Sequence, residues 1–303
     1  MSLSASTFSF TTLLILLLLP KSYSSKTIES SSSLPQVDID LLEYPLNLEY
    51  PEAEFFLYGA YGYGLNKIAP NLTKGGPTPI GAKHGKMDNF IRDVIKQFAL
   101  QEVGHLSTVK GFPRPLLNLS AESFAKVVDS AFEKQLVPSF DPYSSGVNFL
   151  LASYLIPYVG LTGYVGASPK LQDPKSKRLV AGLLGVESGQ DAVIRALLYE
   201  HAQKKVKPYG ITVSEFTNRF SHLKNKLGNA GVKDEGLVVV ENEGAEGLIT
   251  GNVLAGDKYS VAFDRTLEEI LRIVYGSDDE HKPGVFYPKG ADGHIAKSHL
   301  LKA

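Results

Sequence analysis

The segment from Asp88 to Lys110 constrains the fold of the whole chain more than any other. Apolar residues recur in it at Phe90, Ile91, Val94, Ile95, Phe98, Ala99, Val103 and Leu106, the spacing of one helical face. Glu102 and His105 sit inside that pattern. Residues three apart share a face of a helix, so a carboxylate and an imidazole point the same way from, or beside, a buried stripe. In a helical bundle an inward E-x-x-H pair is half of a carboxylate-bridged metal site. Elsewhere such a pair is simply solvated or hydrogen-bonded, and the surrounding chain has to decide between the two.

The surrounding chain is that of a folded protein. Of its 303 residues 43% are hydrophobic and 10% aromatic, which is too apolar for a disordered, hydrophilic protectant. With 31 basic against 32 acidic residues it carries no electrostatic footprint for nucleic acid and no polybasic membrane patch. There is no cysteine, which excludes thiolate chemistry and zinc–thiolate sites and leaves stability to the core. No Gly-rich phosphate loop and no Gly-x-Ser-x-Gly elbow occurs, so nucleotide and hydrolase readings have little support.

The apolar run Thr11 to Leu19, followed by Ser22-Tyr23-Ser24, reads as a signal peptide over 1–24. A Ser-rich lead-in follows over 25–36. Asn71-Leu72-Thr73 and Asn118-Leu119-Ser120 are glycosylation sequons. Together they predict a secreted protein of the apoplast or cell wall, with the vacuole as an alternative, and no transmembrane segment in the mature chain.

From 37 to 228 the chain reads as a helical bundle. A first run from Asp38 to Gly62 contains Pro45 and Pro51. Pro51 lacks the N–H that would bond to the Asn47 carbonyl, which predicts a kink there. Glu52 and Glu54, two residues apart, cannot share a face, so at least one of them is expected in solvent. Asp88 caps the second helix, and a connection of about thirty residues then carries a short amphipathic helix from Ser120 to Phe132. The third run, Tyr143 to Ala167, is apolar nearly all round and interrupted by Pro157. Asp173-Pro174 opens a fourth helix reaching about Ala202. Its interior glycines Gly182, Gly185 and Gly189 suggest close approach to a neighbouring helix. Thr212/Glu215 and Thr266/Glu269 are capping boxes for two further helices. The Gly-punctuated stretch 229–303 is too poor in apolar surface to fold alone and is expected to wrap the bundle.

Four helices with a long second connection is the topology of ferritin-like bundles, which makes the fold class all-α. Leu46-Asn47-Leu48-Glu49, Glu102-x-x-His105 and Glu187-Ser188-Gly189-Gln190 resemble the ligand motifs of that superfamily. Pro45 to Tyr50, Gln97 to His105, Pro157 to Ala167 and Leu183 to Asp191 resemble, more closely, the secreted plant desiccation-related proteins with a ferritin-like domain. The resemblance implies a metal set of Glu49, Glu102, His105 and Glu187, with Gln190 beside it in place of a histidine. It also exposes gaps. The third helix has no Asp, Glu or His between Asn148 and Lys170, and Pro157 stands where its glutamate is expected. One Fe or Mn ion per chain and a metal-free polar cluster are both open, Arg195 being a possible neutralising partner. The leading functional expectation is a non-enzymatic protective or binding role under dehydration, toward an extracellular partner or surface the residues do not specify. The alternative is a mononuclear Fe/Mn redox enzyme acting on peroxide or dioxygen; an iron-storage cage ranks third.

Overall fold

The structure, a computed structural model, describes residues 34–300. The leader at 1–24 and nearly all of the lead-in at 25–36 lie outside the described residues. The first helical run is two helices, α1 (Gln36–Glu43) and α2 (Leu46–Tyr61). The break falls at Tyr44-Pro45, and α2 continues through Pro51. The Asn47 carbonyl, deprived of its helical donor by that proline, accepts instead from the hydroxyl of Tyr287. The Asn47 side chain adds to this clasp. Its Nδ2 donates to the Asp292 carbonyl at 2.9 Å and its Oδ1 accepts from the Asp292 N–H at 2.8 Å. A proline in a buried helix is thus matched by a donor from near the far end of the chain.

After the short α3 (Leu65–Ile68) comes α4 (Asn89–Thr108), whose cap Asp88 accepts from the Ile91 N–H at 2.9 Å. The long connection carries α5 (Ala121–Phe132), capped by Ser120. The apolar third run is split by Pro157 into α6 (Gly146–Ser153) and α7 (Pro157–Ala167). By length and composition Gly146–Lys170 could cross a membrane, but it is buried within the bundle. Asp173 caps α8 (Pro174–Tyr199) by accepting from the Lys175 and Ser176 N–H groups. A two-stranded antiparallel hairpin, β1 (Lys205–Val206) and β2 (Ile211–Thr212), leads into α9 (Val213–Gly228). Here the capping box is only half formed. Thr212 accepts from the Glu215 N–H, while the Glu215 carboxylate turns to Arg219 at 2.7 Å. Helix α10 (Leu267–Tyr275) has its complete Thr266/Glu269 box, and α11 (His294–His299) ends the described chain.

The core is built from α2, α4, α6–α7 and α8, with α2 packed on α4 and α7 on α8. His105 meets Glu49, while Arg92 donates to the Ala60 carbonyl, so α2 and α4 run antiparallel. Phe55 and Phe149 stack with ring centroids 4.4 Å apart at one end of this core. The C-terminal extension is sewn to the bundle by buried polar bonds. Arg265 binds the Thr162 hydroxyl at 2.9 Å, and the Tyr44 hydroxyl donates to the Leu267 carbonyl at 2.7 Å. Arg195 belongs to this seam and not to the metal cluster. Its guanidinium donates to the carbonyls of Val253, Asn252 and Glu235 and to the Tyr154 hydroxyl.

The glycines of α8 do not mark a close helix contact. Gly182, Gly185 and Gly189 face solvent, and a Cβ at each would meet nothing within 4 Å. Gly185→Ala is therefore expected to stabilise the fold by about 1 kcal/mol, the helical cost of glycine, in urea unfolding monitored by circular dichroism. Gly166→Ala serves as the contrast, because its Cβ would fall 2.2 Å from the Arg265 carbonyl oxygen; it should destabilise by about 1–3 kcal/mol. Tyr287→Phe leaves the Asn47 carbonyl without its donor and is expected to cost about 1–3 kcal/mol in the same assay.

Candidate metal centre

Glu49 on α2, Glu102 and His105 on α4, and Glu187 on α8 converge in the middle of the bundle. Each offers one ligand atom, and those atoms all lie within 4.8 Å of one another. His105 Nδ1 lies 2.9 Å from Glu49 Oε2, 3.2 Å from Glu102 Oε2 and 3.3 Å from Glu187 Oε1. A single N–H cannot serve three acceptors. It points best at Glu49 and Glu102, and both Glu187 oxygens remain without a hydrogen-bond donor. The three carboxylates are buried, and only His105, 8% exposed, reaches toward solvent.

Two neighbours hold these ligands in place. Gln190, one turn beyond Glu187, donates from Nε2 to Glu102 Oε1 at 2.5 Å and to Gln101 Oε1 at 3.1 Å. The Tyr164 hydroxyl of α7 donates to Glu49 Oε1 at 2.5 Å. Tyr164 is a site residue that no acid or histidine motif in the third helix signals. The place of the missing third-helix carboxylate also needs correcting. The α7 residue facing the cluster is Gly160, whose Cβ would lie 3.7 Å from Glu187 Oε2; Pro157 is the first residue of the helix, a turn away.

The expectation that Glu52 or Glu54 is solvated fails, because α2 is enclosed on nearly every side. Glu54 pairs with the buried Arg114 and accepts from the Leu65 N–H. Glu52, 1% exposed, has no donor on either oxygen. The other histidines stay outside the site. His84 and His222 are exposed, and His294 pairs with Asp40 at 2.9 Å. Asp279, Glu280 and His281 do approach one another at the surface, a grouping the sequence reading did not pick out. Lys282 and Arg272 already neutralise its two acids, at 2.8 Å and 3.0 Å.

Burial pushes the acids of the core cluster upward. For Glu187 burial, with the Glu49 charge added and His105 opposing, gives about 7. Glu102 is raised well above the carboxylate range by burial and by the charges of Glu187 and Glu49. Glu52 is raised likewise, by burial and by Glu187, Glu102 and Glu49. Glu49 goes the other way. Burial would raise it, but the hydrogen bond and charge of His105 outweigh that and hold it below its usual value. His105 is driven up in turn, since the three carboxylates overcome the burial that would lower it. His105 and Glu49 thus favour each other's charged form, while burial and mutual repulsion favour the neutral form of Glu52, Glu102 and Glu187.

One histidine nitrogen and several carboxylate oxygens form a donor set that suits iron or manganese. The donorless oxygens of Glu187 are what a bound cation would satisfy, so Glu49, Glu102, His105 and Glu187 fit such an ion. A cation must displace the protons held here. Loading Mn(II) at pH 7 is thus expected to release more than one proton per chain, as read by titration calorimetry in buffers of different ionisation enthalpy. Lowering the pH through about 7, where Glu187 takes up its proton, should weaken the apparent affinity.

The helical architecture and the acid–histidine cluster define a ferritin-like protein. The model of the ferritin-like domain matches residues 37–200, and the chain belongs to that family. It is 60% identical over 264 residues to the desiccation-related protein PCC13-62 of Craterostigma plantagineum, covering 86% of this chain and 84% of the relative. It is 52% identical over 275 residues to the ferritin-like catalase Nec2 of Nesocodon mauritianus, covering 89% and 88%. No solved structure matches.

Proposed function

We propose that this protein binds a redox-active iron or manganese ion at Glu49, Glu102, His105 and Glu187 and uses it to disproportionate hydrogen peroxide to water and dioxygen. The observation that carries the reading is the convergence of four ligand atoms within 4.8 Å in a buried site. The 52% identity to a protein named a ferritin-like catalase supports the same chemistry. When bound, the ion would supply the reversible electron store that the side chains lack. Glu49, Glu102 and Glu187 would contribute anionic oxygens, and His105 its Nδ1. Tyr164 and Gln190 would orient Glu49 and Glu102 through their 2.5 Å hydrogen bonds, the outer-shell role that tunes a metal site. Burial of the acids excludes any substrate much larger than water or peroxide, with the His105 edge as the point of approach. Protons exchanged with peroxide would be held on Glu187, whose carboxyl lies near neutrality.

This reading moves the redox alternative ahead of a purely protective role. The latter keeps one observation in its favour, the 60% identity to a desiccation-related protein, and peroxide removal during dehydration accommodates both. The signal-peptide pattern at 1–24 supports action outside the cell. Asn71 is exposed and is the more accessible of the two sequons, whereas Asn118 is half-buried and its Oδ1 accepts from the Ser120 N–H.

Protein reconstituted with Mn(II) or Fe(II) should evolve dioxygen from peroxide at an oxygen electrode. Glu102→Gln, which removes a central ligand charge, should lower the rate about 100-fold or more, the upper range for disturbing a ligand's support. Loaded wild type that evolves no dioxygen with either metal would return the protective role to first place.

A further inference from the structure

An apolar cavity of about 40 Å³ lies between α2, α5, α7, α9 and α10, walled in part by Leu48, Pro51, Val127, Val159, Ile273 and Val274. Protein interiors hold few voids larger than a water molecule. Lys224 and Tyr287 are the polar side chains of the lining, and both heads are engaged elsewhere. Lys224 Nζ lies 2.6 Å from Asp234 Oδ2 and 3.3 Å from the Tyr154 carbonyl, and the Tyr287 hydroxyl donates to the Asn47 carbonyl. A buried water needs about two to four polar partners, so water and peroxide gain little here. Apolar cavities of this kind stay dry and admit apolar guests that fit them. This one has roughly a quarter of the ~150 Å³ that takes up benzene, which restricts the guest to a very small apolar molecule. The cavity also comes close to the acid cluster. Leu48, one of its walls, brings Cδ1 to 3.9 Å from the point where Gly160 would carry a Cβ, and Glu187 Oε2 lies 3.7 Å from the same point. Gly160 thus leaves a space touched by Leu48 on one side and by Glu187 on the other, which a longer side chain would fill.

We propose that this cavity takes up dioxygen, which leaves the cluster past Gly160 and Leu48. Dioxygen is apolar and two atoms long, and transfer of an apolar molecule from water into an apolar space is favourable. Polar peroxide approaches by the His105 edge, so substrate and product use different sides of the centre. The source of the gas rests on the peroxide-disproportionation reading; the cavity's capacity to hold it does not.

Dioxygen is paramagnetic, which gives a direct readout on the full mature chain stripped of metal. With labelled methyl groups and dioxygen dissolved under pressure, the methyls of Leu48, Val159 and Ile273 should relax faster than those of Val180, buried in a separate apolar cluster. Val127→Phe and Val274→Phe fill the cavity from two different walls. Each should abolish the difference, and circular dichroism checks the fold of both. Equal relaxation in wild type, or a difference that survives both fillings, overturns the cavity as a dioxygen site. In metal-loaded protein the same variants should lower kcat for dioxygen evolution severalfold and leave KM for peroxide unchanged, the pattern of slowed product release. An unchanged kcat, or a raised KM in its place, overturns the exit role. Wild type that evolves no dioxygen overturns the functional reading and the exit role with it, while relaxation in the metal-free chain still decides whether the cavity holds the gas.

Discussion

Three carboxylates, those of Glu49, Glu102 and Glu187, are packed around one imidazole in the interior of this bundle, and the arrangement of the helices answers to that charge. His105 is the only cation among them. Its charged form is favoured by Glu49, Glu102 and Glu187, and it in turn favours the charged form of Glu49, while burial pushes the other acids toward their neutral forms. An acid cluster of this kind is costly in an apolar core unless protons, bases or cations compensate it. Its members come from α2, α4 and α8, with Tyr164 of α7 closing the fourth side. Every bundle helix therefore has a polar contact at the same depth, and that contact sets their relative register.

Away from the centre the bundle depends on the C-terminal extension for hydrogen bonds it cannot make itself. The carbonyl freed by Pro51 is satisfied by Tyr287, and Arg195 spends nearly all of its donors on backbone carbonyls between residues 235 and 253. Asp234, buried beneath, pairs with Lys224 at 2.6 Å. These are bonds between segments distant in sequence, so the extension has little reason to order by itself and the bundle is incomplete without it. The contrast with α8 is instructive. Its exposed glycines weaken the helix locally, and nothing in the described residues covers them.

The two curated relatives carry names from different functional vocabularies, desiccation and catalase. The peroxide chemistry proposed for the buried centre is compatible with both names. What separates this site from a symmetric two-metal centre is the replacement of a histidine by Gln190 and of a third-helix acid by Gly160.

Much of this was present in the sequence. Helix spacing, capping residues and E-x-x-H are local signals, and they predicted α4, α5, α8 and α10, with caps for α4, α8 and α10 at Asp88, Asp173 and Thr266. Glu49, Glu102, His105 and Glu187 were legible because their motifs resemble those of a known superfamily. Tertiary structure alone decided the rest. Whether Glu52 is solvated depends on what encloses α2, and whether Arg195 serves the metal cluster or the extension depends on segments more than forty residues away. Tyr164 and Gly160 could be placed at the site only once the direction and rotation of α7 were known. A sequence reports which face of its own helix a residue occupies; which neighbours that face meets is settled by packing.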